Sequence, residues 1–209
     1  LANPELNVIA CGGDGDGMAI GLGHTYHAIR RNVNLTYILM DNHVYGLTKG
    51  QTSPRSDWGF KTKTTPTGNI ETPVATLEMA LSAGASFVAQ GFSTQLQELT
   101  DLIVAAVKHP GFSLVNVFSP CVTFNKVNTY DWFKERLVGI DSIEDYDRYD
   151  KGKVLQHILE HEGLLTGLLY EDRKKRSYEE VSGLANNNQM QSVRKFTKAE
   201  FNKLVEDFR

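Results

Sequence analysis

Long apolar runs are missing from this chain, so no segment reaches the length of a membrane-spanning helix. Cysteine is scarce as well. Two in 209 residues do not make a disulfide framework. The start, Leu1-Ala2-Asn3-Pro4-Glu5, lacks the basic flank and long apolar stretch of a secretory leader. Together these point to a reducing, cytoplasmic setting. An excess of positive charge is also absent. The 22 Lys and Arg face 25 Asp and Glu, for a net charge of −3, so no basic field argues for nucleic acid. No internal repeat is visible. The length suits one sizeable α/β domain, alone or with an extension.

Against this background two side chains stand out. Asp14 lies in Cys11-Gly12-Gly13-Asp14-Gly15-Asp16-Gly17, and Asn42 in Met40-Asp41-Asn42-His43-Val44-Tyr45-Gly46. Each follows a short apolar run that reads as a buried strand, Leu6 to Cys11 and Leu35 to Met40. A helix-length segment, Met18 to Arg31, lies between them, which predicts parallel strands joined by a crossover helix. Oxygen-bearing side chains at two such strand tips can clamp one hard divalent cation, and that cation can hold a diphosphate. The glycines keep bulk out of the turn, so phosphate oxygens can reach backbone N–H groups at a helix start. The plainer alternative is a turn former and a cap, since Asp and Asn suit both. A dinucleotide fingerprint is a further alternative, but it fails in register. The last glycine of Gly-x-Gly-x-x-Gly would fall on Met18 or Ile20.

The stretch from Tyr45 to Thr72 is rich in Gly, Ser, Thr and Pro and has no period. A compact domain keeps a loop of that length for function, unless it is disordered. Helices are expected at Pro73 to Ala83 and Thr94 to Lys108, and strands at Ser86 to Gln90 and Phe112 to Phe118. The alternation indicates an α/β fold with a doubly wound parallel sheet over residues 1–129. Residues 130–209 read as a mostly helical extension that packs on the domain or on a partner. Its expected helices are Asp131 to Leu137, Lys151 to His161, and a last one running to Asp207. Thr197-Lys198-Ala199-Glu200 is the capping box of that last helix. Ala185 to Ser192 is polar and reads as a surface loop.

Gly13-Asp14-Gly15 followed just under thirty residues later by Asn42 resembles the thiamine diphosphate motif. The string Tyr45-Gly46-Leu47-Thr48-Lys49-Gly50-Gln51-Thr52-Ser53-Pro54 narrows the likeness. From about Asn7 to about Thr129 the chain resembles the β subunit of 2-oxoacid:ferredoxin oxidoreductases. The resemblance implies thiamine diphosphate and Mg²⁺. Its metal ligands would be the side chains of Asp14 and Asn42 and the backbone carbonyl of Val44. Gly13, Gly15, Asp16, Tyr45 and Gly46 would line the diphosphate, with Leu47 and Thr48 close by. Lys49 is the candidate catalytic residue, a cation able to hold a substrate carboxylate. Its plain alternative is an exposed loop lysine. Lys49 and Leu47 favour a general or 2-oxoglutarate-type enzyme, with pyruvate still open.

The same resemblance places a [4Fe–4S] ligand at Cys121, in Ser119-Pro120-Cys121. The other ligands would lie in an N-terminal segment that the family carries and that precedes this sequence, so a truncated or processed chain is expected, without its cluster. The implied activity is oxidative decarboxylation of 2-oxoacids to acyl-CoA, with ferredoxin taking the electrons and coenzyme A the acyl group. The glutamate that activates the cofactor would come from a separate α chain, so this chain alone is expected to be silent. Another thiamine diphosphate decarboxylase or synthase, or a non-catalytic domain that keeps the fold, are the alternatives.

The remaining candidates read as structure. Cys11, inside a strand, suggests core packing. His24 and His27 suggest a helix face. His157 and His161 have the spacing that can bind zinc. A zinc-protease signature needs Glu directly after the first His, and Ile158 stands there, so they read as a polar helix face. The run Glu171-Asp172-Arg173-Lys174-Lys175-Arg176 reads as solvated.

Overall fold

The computed structural model describes residues 3, 5–183 and 197–206. The first half of the chain alternates as its periodicity requires. It runs β1 (Ile9–Gly13), a π-helical turn (Asp16–Ile20), α1 (Leu22–Arg31), β2 (Leu35–Asp41), α2 (Thr76–Ser82), β3 (Phe87–Phe92), α3 (Leu96–Lys108) and β4 (Phe112–Phe118). After these come α4 (Tyr130–Arg136), the two-residue β5 (Val138–Gly139), a 3-10 turn (Ile140–Ser142), α5 (Lys151–Glu160), β6 (Leu165–Glu171), α6 (Tyr178–Val181) and α7 (Lys198–Glu206). One six-stranded sheet has the order β1-β2-β4-β3-β6-β5.

β1, β2, β4 and β3 are parallel neighbours. Every residue of β3 and β4 is buried, because helices cover both sides of the sheet. On one face Leu39, Val88 and Leu114 pack against Ile29 of α1, Leu77 and Leu81 of α2, and Val154 and Ile158 of α5. On the other, Ala89, Val115 and Val117 meet Leu102 and Ala106 of α3. This is the doubly wound α/β fold that the alternation predicts. A third cluster, Phe92, Phe118 and Phe133, joins α4 to the carboxyl ends of β3 and β4.

Four details depart from the sequence reading. The expected helix from Met18 is interrupted at Gly21, whose N–H reaches back to the Asp16 carbonyl at 2.7 Å, a five-residue closure that marks a π turn. The extension is not only helical: β6 joins the main sheet antiparallel to β3. Cys11 is exposed rather than packed in the core, because β1 is an edge strand and α3 does not reach that far across the sheet. The Glu171 to Arg176 run is only partly solvated. Glu171 ends β6, and the Lys175 ammonium bonds the Gly84 carbonyl. The capping box forms, with Thr197 N on Glu200 Oε2 at 2.8 Å and Glu200 N on Thr197 Oγ1 at 3.3 Å. The surface loop expected at Ala185 to Ser192, and the helix end at Asp207, lie outside the described residues.

Candidate cofactor and metal site

The β1–β2 register sets Gly13 beside Met40, so Asp14 and Asn42 leave the sheet together at its carboxyl edge. The Asn42 N–H donates to Asp14 Oδ1 at 3.4 Å. The Ser53 hydroxyl donates to the other Asp14 oxygen. Asp14 is 1% exposed. Burial, with neighbouring Asp41 adding to it, pushes its carboxyl up to about 6, against the pull of the Ser53 and Asn42 hydrogen bonds. Burial beside Asp41 thus disfavours an uncompensated negative charge on Asp14, and a bound cation would offset that cost and displace the proton.

The Asn42 amide oxygen accepts from Val44 N at 3.0 Å. The Val44 carbonyl receives no hydrogen bond among the described residues. A carboxylate, an amide oxygen and a free peptide carbonyl thus belong to residues that neighbour one another at this corner. An all-oxygen set of this kind fits a hard cation such as Mg²⁺, with diphosphate and water oxygens to complete about six.

Gly15 lets the loop close. The Tyr45 hydroxyl donates to its carbonyl at 2.9 Å, and a Cβ on Gly15 would run into the Tyr45 ring. Asp16 is exposed and opens the π turn. Tyr45 bridges to Gln51, which folds residues 45–51 into a small hairpin. Leu47 stands 99% exposed there, beside exposed Thr48 and Lys49. Lys49 has a left-handed backbone, φ 74°. A side-chain carbon on Gly46 would sit 3.6 Å from Cys121 Sγ, so that thiol borders the same loop. The structure therefore brings together Gly13, Asp14, Gly15, Asn42, Val44, Tyr45, Gly46 and Cys121. Lys49 lines a neighbouring cavity of about 460 Å³ with Lys61, Lys63, Thr123 and Phe124. His24 and His27 are exposed on α1, apart from this assembly.

Behind the tips lies a buried polar frame that sequence reasoning missed. Asp41 is 0% exposed. Arg55 Nε binds its Oδ2 at 3.0 Å while Nη1 holds the Val74 carbonyl at 2.6 Å. His43 Nε2 lies 3.4 Å from the other Asp41 oxygen. Burial works against the Asp41 charge, but Arg55 and then His43 outweigh it and hold the carboxyl well below the usual range. Burial likewise opposes a charge on His43, yet Asp41 raises it to about 9. The His43 backbone is left-handed, φ 60°, and its ring meets Phe133 of α4 edge-on at 5.9 Å. Ser56 Oγ bonds the His43 carbonyl at 2.7 Å, and Asn125 Nδ2 the Asn42 carbonyl at 3.3 Å. The one signal that could have exposed this frame is the density of short polar residues in the long loop.

Comparison with known proteins agrees with the geometry. Residues 1–117 match the family described as thiamine pyrophosphate enzyme, C-terminal TPP binding domain. Residues 121–186 match the C-terminal family of the pyruvate ferredoxin oxidoreductase beta subunit. Fold and match define a thiamine pyrophosphate-binding domain. The curated relatives include a 2-oxoacid:ferredoxin oxidoreductase subunit beta of Sulfolobus sp, 46% identical over 70% of this chain and 48% of its own length. A 2-oxoglutarate synthase subunit KorB of Archaeoglobus fulgidus is 44% identical over 64% of this chain and 50% of its own length. A solved 2-oxoglutarate:ferredoxin oxidoreductase from Magnetococcus marinus, with 2-oxoglutarate, coenzyme A and succinyl-CoA bound, superposes with TM-score 0.85 at 38% identity. It covers 100% of this chain and 69% of that one. The chain belongs to the family of 2-oxoacid:ferredoxin oxidoreductase β subunits. It spans about half the length of the curated relatives it matches. Among the described residues no helix is long and apolar enough to cross a membrane.

Proposed function

We propose that this chain is the thiamine diphosphate- and Mg²⁺-binding part of an enzyme that oxidatively decarboxylates 2-oxoacids to acyl-CoA and passes the electrons to ferredoxin. The observation that carries the reading is the meeting of Asp14 and Asn42 at adjacent strand tips, the Asn42 N–H 3.4 Å from Asp14 Oδ1 and the Asn42 amide oxygen 3.0 Å from Val44 N, with the Val44 carbonyl unbonded among the described residues. In this reading those three oxygens hold the Mg²⁺ that tethers the diphosphate. Gly13, Gly15, Asp16, Tyr45, Gly46 and Thr48 shape the phosphate corner. Residues 1–129 act as the cofactor domain. Residues 130–209 serve as an extension that packs on this domain or on a partner subunit.

When bound, the thiazolium of the cofactor supplies the electron sink for decarboxylation. This chain's part is to position and to hold charge. Lys49 offers its ammonium to a substrate carboxylate. Support comes from the cavity it shares with Lys61 and Lys63, where three cations and an apolar Phe124 wall suit an anionic substrate. Leu47, almost wholly exposed, presents apolar surface to the cofactor, the substrate or the α subunit. Cys121 borders the Gly46 loop, where its thiolate would be one ligand of a [4Fe–4S] cluster, a group that would supply one-electron transfer.

No glutamate of this chain is assigned the activation of the cofactor, which the α subunit would supply. We therefore expect the lone chain to be inactive and the reconstituted complex to reduce a viologen dye with 2-oxoacid and coenzyme A. A panel of pyruvate, 2-oxoglutarate and branched 2-oxoacids identifies the substrate. Lys49→Ala should raise KM for a dicarboxylate about tenfold or more, the loss of one charge-assisted contact. Full turnover by the lone chain would overturn the shared-site reading.

A further inference from the structure

We propose that His157, Glu160 and His161 form a second metal site, one suited to a borderline ion such as Zn²⁺ rather than to the hard cation of the strand tips. The three residues close α5 at positions i, i+3 and i+4, which share one helix face. One ligand atom from each lies within 4.8 Å of the other two.

The distances carry the argument. His157 Nδ1 is buried, has no hydrogen-bond partner, and faces Glu160 Oε2 at 3.4 Å. A charge-assisted hydrogen bond would draw those atoms to about 2.7–2.9 Å. Two ligands each about 2.0–2.1 Å from a tetrahedral ion stand about 3.3–3.4 Å apart. The observed gap matches the edge of such a tetrahedron, and the His161 ligand atom lies within 4.8 Å of both.

His161 is prepared in a different way. Its Nδ1 lies 2.9 Å from the His157 carbonyl. A carbonyl can only accept, so Nδ1 carries the hydrogen and Nε2 of the neutral ring keeps its lone pair for a metal. A ring N–H donated to a backbone carbonyl is the usual outer support of a metal-bound histidine. The His157 ring is steadied by Tyr146, which lies over it at 5.2 Å and 30° and is itself fixed by its hydroxyl on the Leu169 carbonyl at 2.9 Å.

The setting favours a cation too. The last turn of a helix carries partial negative charge, and Glu160 adds a full one. Val154 and Ile158, both 0% exposed, bury the adjoining face of α5 in the core, which fixes the rotation of the helix. Two imidazoles and one carboxylate satisfy three positions and leave one open. The site stands where α5 turns into β6, just before Gly163, whose carbonyl receives Gln90 Nε2 at 2.7 Å. An ion there would stiffen the corner that feeds the antiparallel strand. The zinc-protease pattern overlooks this site because it asks for a general base next to the first histidine. Binding needs only a third ligand on the same face.

The test is a Zn²⁺ titration of the metal-stripped full chain by calorimetry, with Co²⁺ absorption as a second readout. Wild type should bind one equivalent, and the Co²⁺ form should show tetrahedral visible bands without a near-ultraviolet thiolate band. His161→Gln and Glu160→Gln, both at partly exposed positions with folding checked by circular dichroism, should each weaken Zn²⁺ by at least about tenfold. Asp14→Ala and Cys121→Ser should leave it unchanged. No Zn²⁺ uptake by wild type, uptake that survives both helix variants, or uptake that follows Cys121 would each overturn the assignment.

Discussion

Arg55 holds the long loop to the sheet, with one nitrogen on Asp41 and another on the Val74 carbonyl. Its side chain is only 17% exposed and that of Asp41 is 0% exposed, so removing Arg55 leaves a buried carboxylate with His43 alone beside it. Arg55→Met should cost about 3–5 kcal/mol in urea unfolding, and adding Asp41→Asn should recover most of the loss. Simple additivity of the two would contradict the pairing. His109 offers a pH readout away from the Asp14 and Asn42 strand tips. Its Nε2 lies 2.8 Å from Ser86 Oγ, and that hydroxyl bonds Asn32 Oδ1 at 2.6 Å. Burial pulls its pKa below the ordinary value, partly opposed by Glu171 and Asp172. The unfolded chain therefore takes up the proton first. The contribution to stability is full above the ordinary histidine value of about 6.5 and is lost as pH falls below it. Between about pH 7.5 and 5.5 the wild-type Tm should fall further than that of His109→Gln; equal falls would remove His109 from the account. The meeting of Asp14 and Asn42 was legible because a strand tip and a glycine turn frame them. Ser53, Arg55 and His43 were not, because their pairing with Asp14 and Asp41 depends on how the long loop folds back, and a buried polar side chain looks like a loop residue in one dimension.

At the scale of elements, apolar period sets what can be read. β4 and α3 are long and regular, and their positions follow from the sequence within a residue or two. β6 did not show. Leu164 to Tyr170 is a short apolar run with a glycine inside it and no alternation, and such a run does not declare helix or strand. The structure explains the glycine. Gly167 has φ 126°, and a Cβ there would approach Ile140 Cγ1 to 2.6 Å. Gly167→Ala should therefore cost about 1–3 kcal/mol, read as a shift of the unfolding midpoint at unchanged slope. A neutral effect would mean that β6 does not seat against the 3-10 turn as described. The break at Gly21 was invisible for a different reason. A π turn and an α-helix share nearly the same apolar spacing over five residues, and only the Asp16 to Gly21 bond tells them apart.

For the whole molecule, the doubly wound sheet was legible from alternation alone, and its carboxyl edge is where such folds place ligands. The binding of the C-terminal segment to that edge was not legible. Asn116 Nδ2 bonds Gln90 Oε1 at 2.8 Å, and Gln90 Nε2 bonds the Leu165 carbonyl at 2.6 Å, so a buried polar row crosses from β4 to β6. Phe133 of α4 packs on Phe118 at 4.5 Å and on His43 at 5.9 Å, behind the corner where Asp14 and Asn42 meet. One compact body thus supports two strand tips, and the central claim is that those tips grip a cation and through it a diphosphate. Calorimetric titration of the chain with thiamine diphosphate, with and without Mg²⁺, tests it most directly. Saturable one-site binding that needs Mg²⁺ and disappears in Asp14→Ala is the predicted result, while equal affinity without the metal, or in the variant, would contradict it.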